Sequence, residues 1–156
     1  MWQALGVERC REYCVHLVRS AAAMLTVAWG GGAPALAPPE MHSHMALVGL
    51  PLAVAAACAK ADKDTASGGG GAAGSSGAGG GSRATGGSGA SPDAASATSA
   101  DAKLVQDQLH HGFRIECPVK CIAGYLYVRI SAQVYNEMAD YERLRDAVLA
   151  LPGVFL

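Results

Sequence analysis

One arginine in the C-terminal third of the chain stands where it could bind an anion. Arg129 falls within residues 125–136, a strand-like run that leads into a helical pattern. A planar guanidinium donates two parallel hydrogen bonds to a carboxylate, so it fixes the orientation of an amino acid as well as its position. The alternative is an ordinary surface or salt-bridge arginine, because most charged side chains serve no site.

Five cysteines suggest a second kind of chemistry, metal binding or nucleophilic catalysis. Two pairs are spaced four residues apart on apolar stripes, whereas structural zinc sites usually use tighter Cys-x-x-Cys knuckles. A nucleophilic cysteine needs a base or a helix N-terminus nearby, and the sequence indicates neither. We therefore expect core packing, no metal, and free thiols in a reducing compartment, cytoplasmic or organellar. A zinc-binding module is the alternative. The cysteines are Cys10, Cys14, Cys58, Cys117 and Cys121.

Charge and glycine patterns argue against several other classes of function. The net charge is −1, with 12 basic and 13 acidic residues, and no run of basic residues suggests binding to nucleic acid or to a membrane surface. The apolar run 45–59 is too short to span a bilayer and contains Pro51. No targeting segment is visible. The glycine-rich tract lacks the spacing of a phosphate loop. His42, His44, His110 and His111 are expected in loops or at a helix end.

Composition divides the chain into two folded blocks and an insert. Residues 59–100 are almost entirely Ala, Gly and Ser, and such a segment cannot bury enough apolar surface to offset the entropy cost of folding. We expect this insert to be disordered. The blocks 1–58 and 101–152 then supply the core.

Hydrophobic periodicity predicts the elements of each block. In the first, a helix follows Gly6 and ends at residues 30–32. Prolines 34, 38 and 39 keep the next stretch extended or looped, and residues 45–51 form a buried strand.

In the second block, Asp101 caps a helix that ends at Gly112. Residues 114–121 form an edge strand, residues 123–124 turn, and a second strand carries Arg129. Asn136 caps a last helix, which stops at residues 152–153. This order predicts an α+β fold, a small, mainly antiparallel sheet with helices on one face.

Three blocks of this sequence resemble one enzyme family. They are residues 2–13 continuing to 29–30, residues 37–51, and residues 111–118 with 127–131, 135–136 and 140–144. The third is the most specific, since an Arg-Ile-Ser strand, a Tyr-Asn turn and an Asp-Tyr-x-x-Leu helix occur together. The blocks are similar to the C-terminal small domain of class V aminotransferase-like, pyridoxal-phosphate-dependent enzymes of fold type I. Within that family they look most like the isopenicillin N epimerase-like and cysteine desulfhydrase-like branch.

The resemblance implies a homodimeric enzyme that acts on amino acids as an epimerase, desulfhydrase or desulfurase. It also implies that Arg129 binds the substrate α-carboxylate. The family's Schiff-base lysine belongs to the large domain, and none of Lys60, Lys63, Lys103 and Lys120 lies in a matching context. We therefore expect this chain to be a C-terminal fragment, with no bound cofactor and no activity by itself.

The alternative is a catalytically inactive small domain that acts as a protein-binding or vestigial module. In the enzyme, the apolar stripe of the first helix would pack on the large domain. A lone chain is then expected to expose this stripe as an apolar patch.

Overall fold

The computed structural model describes residues 6–54 and 96–151, which form an α+β fold. In chain order the elements are helix α1 (Val7–Ala28), a short 3₁₀ helix (Pro39–Met41), strand β1 (Met45–Gly49), helix α2 (Ser99–Phe113), strand β2 (Val119–Ile122), strand β3 (Tyr125–Ser131) and helix α3 (Met138–Leu149). The predicted fold class is confirmed. The proline-rich stretch was expected to be extended or looped, and it contains the single 3₁₀ turn because Pro39 suits the first position of a helix.

The sheet has the order β1-β3-β2, and both pairs of strands are antiparallel. Its register places Ala46 opposite Ile130, and Val48 opposite Val128. On the other edge of β3, Val119 of β2 is also opposite Val128. All five side chains are buried together with residues of the helices. One face of the sheet, here called the covered face, therefore forms half of the core.

Helix α1 packs against β1 and also contacts β3 and α3. The expectation that a lone chain exposes its apolar stripe is wrong for most of the stripe, because these elements of the same chain cover it; Val7, at its start, is 43% exposed. A second domain is not required to bury this helix. The buried residues of α1 are Cys14, Leu17, Val18, Ala21, Ala22 and Leu25.

Helix α2 begins earlier than predicted, because Thr98 and not Asp101 is its N-cap. The Thr98 Oγ1 accepts a hydrogen bond from the Asp101 N–H at 3.3 Å, and the Asp101 carboxylate accepts one from the Thr98 N–H at 2.7 Å. This reciprocal capping box satisfies two N–H groups that the helix cannot. Residues 96–100, which composition assigned to the insert, thus belong to the folded part. Residues 59–95 of the predicted insert lie outside the described residues.

The same helix also ends later than predicted. Gly112 stays helical, and Arg114 adopts the left-handed conformation with φ 57°. The Arg114 N–H donates to the His110 carbonyl at 3.1 Å, the bond of a left-handed cap, and the Ile115 N–H donates to the Leu109 carbonyl at 3.0 Å. Ile115 packs against the core. This apolar contact, and not the glycine, sets the end of α2.

Helix α3 has Glu137 as its N-cap residue, and not Asn136 as predicted. The Asp140 carboxylate accepts hydrogen bonds from the Asn136 side-chain amide and from the Glu137 N–H, both at 3.1 Å. Both bonds hold the pKa of Asp140 below its ordinary value, and the bond from Asn136 has the larger effect. Asn136 also accepts from the Gln133 N–H, so it orders the preceding loop. The predicted stop at residues 152–153 lies outside the described residues.

The strand predicted for residues 114–121 forms only from Val119, directly after Pro118. It is an edge strand, as predicted. Pro118 stays outside it, because proline cannot donate to the hydrogen-bond ladder. Ala123 and Gly124 both have positive φ, 51° and 81°, which is the two-residue turn that matches the twist of a hairpin. A side chain at Gly124 would collide with Ser96.

The apolar run that starts at residue 45 is a strand where it is described. It forms β1 and continues into Leu50, which is buried. None of the helices in residues 6–54 and 96–151 is both long enough and apolar enough to cross a membrane.

Candidate functional site

The second face of the sheet, here called the open face, combines partly exposed apolar and basic side chains. The alternation of the strands places Leu47 of β1, Lys120 of β2 and Arg129 of β3 on it. No strand residue that the structure describes on this face is acidic. An anion approaching these strands would therefore meet positive charge and no carboxylate of the strands themselves; the exposed Glu116 lies two residues before Pro118, ahead of β2. The full set is Met45, Leu47, Gly49, Lys120, Ile122, Tyr125, Tyr127, Arg129 and Ser131.

Arg129 lies on the central strand and is exposed. Its backbone is fixed from both sides, since Leu47 is its partner in β1 and its N–H donates to the Pro118 carbonyl at 2.9 Å. Within the described residues, its guanidinium makes no hydrogen bond or ion pair. The strand therefore holds the backbone rigidly and leaves the five N–H donors of the side chain free for a ligand.

Tyr127 separates Arg129 from the hairpin end of the same face. It is only 1% exposed, because the loop after α1 lies over it, and its hydroxyl donates to the Pro34 carbonyl at 2.9 Å. The approach of this loop requires Gly49, since a Cβ there would collide with Ala33. Burial raises the pKa of Tyr127, with Tyr125 adding to the shift. One end of the open face is thus closed by the loop, and Arg129 lies beside the closed part.

Lys120 is the residue of this site that sequence reasoning missed. The register pairs it with Tyr127, so it lies diagonally across from Arg129 on the same face. Diagonal neighbours in antiparallel strands are within reach of long side chains. A two-residue turn at 123–124 already implies this register, and counting outward from the turn would have placed Lys120 beside Arg129.

Ser131 and Asn136, at the two ends of the loop after β3, make structural contacts. The Ser131 carbonyl accepts from the Tyr141 hydroxyl at 2.8 Å, and the Asn136 carbonyl accepts from the Tyr13 hydroxyl at 2.6 Å. Tyr135 is 77% exposed. These contacts tie the loop after β3 to α1 and α3.

Three of the four cysteines that the structure describes lie in or against the core, and the fourth, Cys10, is half-buried outside it. Cys14 and Cys117 are buried, and Cys121 donates its S–H to the Ala97 carbonyl at 3.0 Å. Burial raises the pKa of Cys117 to about 11, and burial with the neighbouring Cys10 raises that of Cys14. Thiols with raised pKa are poor nucleophiles. In residues 6–54 and 96–151, no three His, Cys, Asp or Glu side chains are grouped to hold a metal ion.

The described lysines do not fit a Schiff-base site for pyridoxal phosphate. Lys103 forms an exposed i,i+4 ion pair with Asp107 at 2.8 Å on α2. Lys120 is exposed on an edge strand. Neither lysine lines the cavity beside α3, the cavity at the start of α1 or the cavity beside β1. Lys60 and Lys63 lie outside the described residues, as does Cys58. No step of cofactor chemistry is therefore assigned to this chain.

Comparison with known proteins does not identify a family. No protein-family model matches the chain, and no curated protein matches it significantly.

Proposed function

We propose that this chain is the small domain of a pyridoxal-phosphate-dependent class V aminotransferase-like enzyme that acts on amino acids, as an epimerase, desulfhydrase or desulfurase. The observation that carries the proposal is the exposed guanidinium of Arg129, held on the central strand and without a hydrogen bond or ion pair among the described residues. It adds to the sequence resemblance, in which the matching arginine takes the substrate α-carboxylate.

A free guanidinium on a rigid strand suits a carboxylate. A carboxylate is planar and accepts two parallel hydrogen bonds from one guanidinium. Lys120 supplies a second positive charge as a point donor, without that directional pattern. In this proposal Arg129 fixes the orientation of the amino acid, and Lys120 raises the local concentration of anions.

The cofactor lysine and the dimer interface belong, in this proposal, to a large domain. The free thiols of this chain fit a reducing compartment, cytoplasmic or organellar. No role with nucleic acid or membranes is proposed.

A catalytically inactive small domain that binds a protein partner is the second candidate. The burial of the α1 stripe within this chain favours it, because the described residues form a core without a large domain. Exposed apolar side chains such as Val27, 83% exposed, and Met41, 73% exposed, offer contact surface to a partner.

Isolation of the protein from its natural source separates the two candidates. An antibody raised against residues 101–151 would capture it, and its mass and pyridoxal phosphate content would be measured. A polypeptide several times longer than 156 residues with bound cofactor is expected. A 156-residue protein without cofactor would reject the enzyme in favour of the protein-binding module.

A further inference from the structure

A cavity lies at the outer edge of β1. It has a volume of about 350 Å³ and is bounded by α1, the loop after α1 and β1. Ligand sites of small molecules fall in this size range. Arg129 and Lys120 are not among its lining residues, although Leu47 and Gly49 of the open face are.

The lining is mostly small and apolar. Alanines and glycines of the loop and of α1 make up much of the wall, with Val27 and Leu47 as larger members. Such a wall offers no directional hydrogen bonds from side chains. A ligand that fills the cavity must therefore present an apolar body to it.

Two ionisable groups stand out in this apolar wall, and both are basic; the third polar side chain, Thr26, donates its hydroxyl to the Ala22 carbonyl at 2.8 Å within its own helix. Arg19 donates one hydrogen bond from Nη2 to the Glu40 carbonyl at 3.0 Å, which holds the guanidinium beside the loop. His42 lines the same cavity, and its Nδ1 is shielded from solvent without a hydrogen-bond partner among the described residues. No described residue that lines the cavity is acidic.

A buried nitrogen without a partner is costly, and a turn of the His42 ring that brings this nitrogen to a ligand in the cavity would remove the cost. Water could also satisfy it, but water gains nothing from the apolar wall. An anionic head is favoured because both ionisable groups are basic, and a carboxylate accepts hydrogen bonds from both. We infer that this cavity binds a small monocarboxylic acid with an apolar body, its carboxylate held by Arg19 and His42.

Octanoate and 1-octanol form a matched pair of probes, because they share the chain and differ in the charged head. Titration of the full 156-residue chain by calorimetry would give both affinities, and amide chemical shifts in NMR would locate the site. Octanoate is expected to bind about tenfold tighter or more than 1-octanol, the size of one charge-assisted hydrogen bond. Its shifts are expected in residues 31–37 and 47–49.

Substitutions then test the two polar groups and the cavity itself. Arg19→Gln and His42→Phe are each expected to weaken octanoate binding about tenfold. His42→Phe should also raise the melting temperature of the unliganded chain, because it removes the unpaired nitrogen. Ala23→Leu, which fills the cavity from an exposed position of α1, is expected to abolish binding. The matched control Ala100→Leu, exposed on α2, should leave binding unchanged.

Several results would overturn the inference. They are no detectable octanoate binding, equal affinity for 1-octanol, and shifts centred on Arg129 and Lys120 instead of the cavity. An Ala23→Leu variant that binds as the parent does would overturn it too. Arg129→Gln is expected to leave octanoate affinity unchanged, so failure here would be distinguishable from failure of the proposed function.

Discussion

The two faces of the small sheet are built from the same strands and differ in what their side chains do. On the covered face, residues such as Leu126 and Val128 are at most 2% exposed and pack into the shared core. Arg129 follows Val128 and precedes Ile130 in sequence, but it lies on the open face. Its side chain makes no hydrogen bond within the described residues. The comparison teaches that one strand can be required for stability on one face and available for ligand binding on the other.

The largest effect is expected from the covered face. Leu126→Ala should lower the free energy of unfolding by about 2–5 kcal/mol, because it removes buried methyl groups and leaves a cavity. Denaturant unfolding of the purified chain would measure the change. A loss of less than about 1 kcal/mol would mean that this face is loosely packed.

An effect of intermediate size is expected at alkaline pH. Burial raises the pKa of Cys117 from 9.0 to about 11, and burial with the neighbouring Asp140, Cys14 and Tyr13 raises that of Tyr141 from 10.0 to about 12. The folded state therefore keeps protons that the unfolded state has lost, and the free energy of unfolding falls between about pH 9 and pH 12.

Unfolding curves recorded across this range would test the sign of the pH effect. In Tyr141→Phe the decline above pH 10 should become shallower, because one of the groups with a raised pKa is gone. Stability that stays constant up to pH 12 would show that these side chains are not desolvated.

A smaller effect sharpens the comparison, because Tyr127 lies on the open face but is buried. Tyr127→Phe should lower the free energy of unfolding by about 1 kcal/mol through the lost hydrogen bond to the Pro34 carbonyl. Exchange of amide hydrogens in residues 31–37 should speed up as the loop loosens. The control Tyr135→Phe, at a tyrosine that is 77% exposed, should change neither measurement. Equal effects of the two substitutions would contradict the closed end of the open face.

Periodicity predicts the elements well where one face is apolar and its neighbours are polar. The alternation of Leu126, Val128 and Ile130 set the register of β3, and the turn at 123–124 set its partner. The helix ends were predicted less well, because several residues compete for each cap. Thr98 and Asp101 can both cap α2, and the reciprocal bonds between them decide for Thr98. At the other end, the burial of Ile115 outweighs the conformational preference of Gly112.

The candidate site was predicted in part. The alternation of β3 placed Arg129 opposite the core, and the structure agrees. The open face combines β1 with the hairpin of β2 and β3, which is far from β1 in sequence. That none of these strands places an acidic residue on the open face could therefore not be read from one strand. The cavity beside His42 arises from a loop that folds back on β1, and local patterns do not predict such a contact.

The most direct test of the proposed function is the steady-state kinetics of the proposed longer enzyme, with Arg129→Gln as the variant. Loss of charge-assisted hydrogen bonds to the substrate carboxylate should lower kcat/KM for the amino acid about 10- to 100-fold. The same substitution should change the free energy of unfolding of the 156-residue chain by no more than about 0.5 kcal/mol, since an exposed side chain without partners is removed. The matched control Arg9→Gln, exposed on α1, should change neither quantity. A normal kcat/KM in Arg129→Gln, or a loss of activity explained by unfolding, would contradict the role of Arg129.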